Sequence, residues 1–147
     1  MLMEVQFREA TEQFSFVIDR VQGLSPVVIK ARENTESDTV LLKYGMVHRL
    51  LDCFKFDIEL MQEDDGSVSL WLNPFGLYVN ASSEEEAFNS LAKDAVVYAK
   101  EFMKNPRLYL NSPNRRNHFP HILKVMLCDN YEQVKDMLLR NAEIQRS

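Results

Sequence analysis

The segment that most constrains this chain is a hairpin signal followed by a capped amphipathic helix. "FDIELMQ" and "SVSLWLN" flank "EDDG". Asp65-Gly66 marks a tight turn between two strands, because glycine reaches positive φ without a Cβ clash. "PFGLYVN" continues as a loop and a possible third strand. Ser83 then stands three residues before Glu86, the spacing of a capping box. Phe88, Leu91, Ala95, Tyr98 and Phe102 follow on one helix face, which predicts a helix to about Met103. Antiparallel strands next to a long amphipathic helix bury one face of each against the other.

The residues before this segment read as a second small unit. Met3 to Phe7 predicts a short strand. Glu9 to Gln22 predicts a helix, with Phe14, Val17, Ile18 and Val21 on one face. Gly23 suits the helix C-cap, and Pro26 prevents continuation. The β-branched run in "PVVIKAR" and the later "TVLLK" predict a hairpin across the polar turn "ENTESD". Tyr44 to Phe54 predicts a helix presenting Val47, Leu50, Leu51 and Phe54.

The last third is helical in pattern. Ser112 and Pro113 suit a helix start, and Pro120 interrupts that helix or opens another. Asn130 with Gln133 forms a second box-like start. Val134, Met137, Leu138 and Ile144 face inward along a closing helix. The fold class is therefore α+β: a βαββα unit over 1–55, a small antiparallel sheet with a long helix over 56–104, and a helical region over 105–147.

Composition narrows function. The net charge of −5 argues against coating nucleic acid through bulk charge, though a local basic patch on a dimer stays compatible. No apolar run reaches the roughly 18 residues of a membrane span, and "MLMEVQFREA" has no signal-peptide core, so a cytoplasmic location and no membrane partner are expected. Cys53 and Cys128 lie far apart in apolar stretches and read as buried thiols. No GxxxxGK[ST], GxGxxG, HExxH or GxSxG occurs. His118 and His121 share the i, i+3 spacing, but two histidines alone do not complete a metal site. No enzyme, metal or cofactor is expected. "NSPNRRNH" is the most unusual polar stretch: Arg115 and Arg116 beside a proline turn suit either a solvated helix start or a grip on an acidic surface or phosphate.

The first ~55 residues resemble the prevent-host-death (Phd/YefM) antitoxins. The resemblance is carried by "VQF" leading to "REA", with Ala10 at a close helix–sheet approach, then "FSFVIDRV", "SPVVIKAR", "TVLLK" and "YGMVHRLLDCF". It implies a homodimer, with Phe14, Val17, Ile18 and Val21 at the dimer contact. It also implies operator DNA met by Arg8, Thr11 and Arg32. Where the family often has an arginine after the helix alanine, this chain has Thr11 followed by Glu12. The middle segment is similar in element order to the HicB antitoxins. Together these imply a type II antitoxin that represses its own operon and neutralises a cognate toxin, often a ribonuclease. Arg115, Arg116 and His118 are then candidates for contacting that toxin. A Phd-like dimeric interaction module without DNA binding is the alternative.

Overall fold

Val27, Val28 and Ile29 form the centre of the first sheet, as their branching favours. The computed structural model describes residues 1–147, which divide into two compact units, Met1–Leu50 and Leu51–Ser147. The first contains β1 (Met3–Val5), α1 (Phe7–Glu12), α2 (Phe14–Gln22), β2 (Val27–Ile29), β3 (Thr39–Leu41) and all but the last residue of α3 (Tyr44–Leu51). The sheet order is β1-β2-β3. β1 runs parallel to β2, so the two helices supply the crossover. β2 and β3 form the expected antiparallel pair, with Val28 opposite Val40.

The helix expected over Glu9–Gln22 is two helices. Phe7, expected to end the strand, opens the first, and Gln13 leaves helical geometry at φ −123°, ψ 41°. Ala10 of α1 and Val17 and Val21 of α2 still converge, forming the unit's core with Val5 and Val27. α2 closes at Gly23 as expected. Ser25 N donates to Arg20 O (3.2 Å) and Leu24 N to Val21 O (3.0 Å), the Schellman pattern. The left-handed position of that motif is Leu24, at φ 67°. α3 ends at Leu51, short of the expected Phe54.

The second unit contains β4 (Asp57–Gln62), β5 (Val68–Asn73), β6 (Leu77–Ala81), α4 (Glu84–Lys104), α5 (Pro106–Leu110), a 3-10 turn (Arg116–His118), α6 (Phe119–Met126), α7 (Tyr131–Asn141) and β7 (Glu143–Arg146). Its sheet has the order β6-β5-β4-β7. Gly66 turns the β4–β5 hairpin at φ 85°, and the Asp65 carboxylate accepts from Ser67 N at 2.9 Å. Hydrogen bonding from the Ser67 side chain and backbone holds the Asp65 carboxyl below its ordinary range. α4 starts where the capping signal predicts: Ser83 Oγ accepts from Glu86 N at 3.2 Å. α7 starts the same way, with Asn130 Oδ1 accepting from Gln133 N at 2.9 Å. One core joins the sheet to α4, α6 and α7, with Phe56, Phe88, Phe102, Ile122 and Leu138 fully buried. Each such side chain contributes roughly 1.5–3 kcal/mol of burial. Residues 105–147 thus share their core with 56–104.

Two expectations for the last third are corrected. Ser112 and Pro113 do not open a helix: they lie in a turn, where Arg115 N and Arg116 N both donate to Ser112 O. Pro120 instead sits in the first turn of α6, where its missing N–H costs nothing. Ile144 is not on a helix. Ala142 leaves α7 at ψ 151°, and Glu143–Arg146 pairs in parallel with β4. Without β7, β4 would be a sheet edge with unpaired backbone groups.

Candidate functional site

Unit 1 gathers the expected DNA-facing residues around the start of α1 and the end of β2. Arg8 Nε donates to Glu12 at 3.1 Å, and Thr11 Oγ1 donates to Arg8 O at 2.7 Å. Arg32 lies over the Phe7 ring at 5.2 Å and grips Glu36 through Nε (3.0 Å) and a second, shorter guanidinium contact. Beside it, Lys30 Nζ meets Asp38 at 2.7 Å. The Glu36 hydrogen bond raises the Arg32 pKa, and that to Asp38 raises Lys30. The same bonds lower Glu36 and Asp38. Every cation here already has a carboxylate. Exposed pairs of this kind are weak, so a phosphate could displace those carboxylates at small cost.

The predicted dimer face divides. Val17 and Val21 are buried in the unit's own core, so they are closed to a partner. Phe14 is 54% exposed and Ile18 half-buried. Phe16, two residues after Phe14, is 49% exposed.

In unit 2 the residues of "NSPNRRNH" separate. The Arg115 guanidinium lies 5.6 Å from the Tyr98 ring centre and 5.5 Å from that of Tyr109. His118 Nδ1 is 2.6 Å from the Tyr98 hydroxyl. Burial pushes the Tyr98 hydroxyl pKa up. Burial, then the neighbouring Arg115 charge, pushes His118 down. The hydroxyl and the imidazole are thus hydrogen-bonded partners in a half-buried setting. Arg116 is exposed and makes no ion pair. His121 Nε2 donates to Lys55 O at 2.9 Å, while its buried Nδ1 has no partner. Burial lowers His121 as well. The two histidines thus serve different partners, and no group of three or more His, Cys, Asp or Glu could hold a metal. Cys53 is exposed, correcting the expectation of burial, and Cys128 is half-buried with its thiol donating to Lys124 O at 3.4 Å. No helix is long and apolar enough to cross a membrane.

No local signal places Tyr98 and Tyr109 beside Arg115. Spacing puts Tyr98 on the buried helix face, and nothing local in sequence marks its hydroxyl as a histidine partner.

The two sheets and their helices make a mixed α+β protein. A family model for PHD-like proteins, the antitoxins of RelE/RelB toxin–antitoxin systems, matches residues 1–140. The chain belongs to that antitoxin family. A solved structure from Syntrophomonas wolfei subsp. wolfei, the antitoxin part of a proposed toxin/antitoxin system, is similar throughout. It shares 29% identity, covers 99% of this chain and 100% of its own, and superposes with a TM-score of 0.83. The comparison with curated proteins gave no match.

Proposed function

We propose that the protein neutralises a cognate toxin of the RelE class by direct binding and represses its own operon as a homodimer. The observation that carries the antitoxin reading is the family match over residues 1–140. A RelE-class partner would be a ribonuclease, as the sequence resemblance implies. Dimerisation is supported by the small core of unit 1 beside exposed Phe14 and Phe16. Phe14 and Ile18 are its proposed contacts, with Val17 and Val21 supporting them from beneath. Operator contact is assigned to Arg8, Thr11 and Arg32, which would exchange Glu12 and Glu36 for phosphate. Arg116 is proposed as a toxin contact, on a turn held by Arg115 and His118 against Tyr98.

Co-expression is the test. The product of the adjacent reading frame should arrest growth alone and be harmless with this chain. A second reading, a dimeric module without DNA binding, is favoured by one observation: each cation near α1 is already paired. A gel shift on the chain's own promoter separates the two. Operator binding that weakens with salt supports repression, and Arg8→Ala should weaken it further.

A further inference from the structure

The sheet of unit 2 has two unlike faces. Ile58, Leu60, Leu70, Leu72 and Val79 point into the core. On the other side, strand alternation places Asp57, Glu59 and Met61 of β4, Trp71 of β5, Tyr78 of β6 and Glu143 of β7. No element of unit 2 covers that side: Met61, Trp71 and Tyr78 are 45–47% exposed.

The aromatic centre is held in place. Trp71 and Tyr78 are opposite in register, with ring centres 4.5 Å apart. The Tyr78 hydroxyl is 3.1 Å from Ser69 Oγ, which donates to Glu63 at 2.8 Å and accepts from Asn80 Nδ2 at 2.9 Å. Rings fixed in this way lose little freedom when a partner covers them. Trp and Tyr are also the side chains that most often dominate binding energy.

The charged residues that strand alternation places on that face are all acidic. Glu59 lies opposite Trp71, and Asp57 opposite Glu143. Like charges in register on neighbouring strands repel. None of the three carboxylates has an ion pair. The ion pairs of this unit, Lys135–Glu85 and Arg146–Glu84, lie at the start of α4. Such a face repels nucleic acid and a second copy of itself. It complements a protein surface with Lys and Arg around an apolar centre.

We infer that this outer sheet face docks the cationic surface of the cognate toxin. Trp71 and Tyr78 are the anchor, and Asp57, Glu59 and Glu143 pair with toxin Lys or Arg. A toxin that cleaves RNA needs cations to hold phosphate, and a carboxylate face would occupy them. The inference rests on the antitoxin reading above.

The test titrates the purified product of the adjacent reading frame into the full-length chain. Trp71→Ala should weaken binding about 30-fold or more, and Glu59→Lys with Glu143→Lys about 100-fold or more. Association of the parent should slow with added salt, and the double reversal should lose that dependence. Thermal unfolding by circular dichroism checks that each variant folds. Where one does not, Glu59→Gln, close in size, should still slow association. A parent that binds while the sheet-face variants bind equally well overturns the inference and leaves the antitoxin reading standing. So does loss confined to Arg115→Glu with Arg116→Glu. A parent that does not bind at all overturns both.

Discussion

Proline at position 145 tests the strand that closes the chain. Glu143 N donates to Phe56 O at 2.8 Å and Ser147 N to Leu60 O at 2.9 Å. With Ile58 in register with Ile144, the parallel ladder directs Gln145 N to Ile58 O. The N–H groups of Ile144 and Arg146 point off the sheet edge. Gln145→Pro removes one ladder hydrogen bond, about 1 kcal/mol net, and orphans the carbonyl of fully buried Ile58, about 1–3 kcal/mol more. The expected loss is about 3 kcal/mol, a large share of the 5–15 kcal/mol typical of a domain. Arg146→Pro keeps the ladder and loses only the weak, exposed ion pair with Glu84. The single tryptophan, Trp71 on β5, reports this unit by fluorescence during urea unfolding. With m of about 1.5 kcal/mol/M, Gln145→Pro should lower the midpoint by about 2 M, and Arg146→Pro by well under 1 M. Equal midpoints for the two variants would refute the parallel register. Two unchanged midpoints would show that 143–147 is not paired with β4.

Acid should weaken unit 2 before its carboxylates protonate. Burial holds His118 and His121 below the ordinary value of 6.5, so the folded unit resists protons that the unfolded chain accepts. Stability is then full above about pH 6.5 and falls as pH drops below it. Urea midpoints at several pH values between 5 and 7.5 should trace that slope, and His118→Gln with His121→Gln should flatten it. Ser83→Ala should cost about 1 kcal/mol through the lost cap of α4, read by the same fluorescence. Leu24→Gly should stabilise unit 1 by up to about 1 kcal/mol by removing strain at φ 67°, whereas Leu24→Val should destabilise it. Urea unfolding followed by far-ultraviolet circular dichroism reads both variants.

Local rules carried most of the fold. The Asp65-Gly66 turn and the Ser83 and Asn130 caps depend on residues within four positions, and the structure places each as expected. What failed was set at longer range. Ile144 continues the helical spacing of α7, yet the open edge of β4, some eighty residues earlier, captures it as a strand. The sites were less legible for the same reason. Arg115 and His118 stood out by composition, but their partners Tyr98 and Tyr109 come from α4 and α5. The outer sheet face did have a signal: Ser67, Ser69, Trp71 and Asn73 alternate with apolar residues, so the tryptophan occupies the polar register.

The two cores differ greatly in size: five buried residues in unit 1 against nineteen in unit 2. A core of five supplies little stability by itself. The folded fraction of unit 1 should therefore follow the concentration of whatever covers Phe14 and Phe16. If two copies of the chain do so, as proposed, the dimeric form would become common only after the protein has accumulated. Dilution would then melt the N-terminal unit first, while unit 2 stays folded. On the proposed repressor reading, the smaller core would make repression a readout of the antitoxin's own abundance.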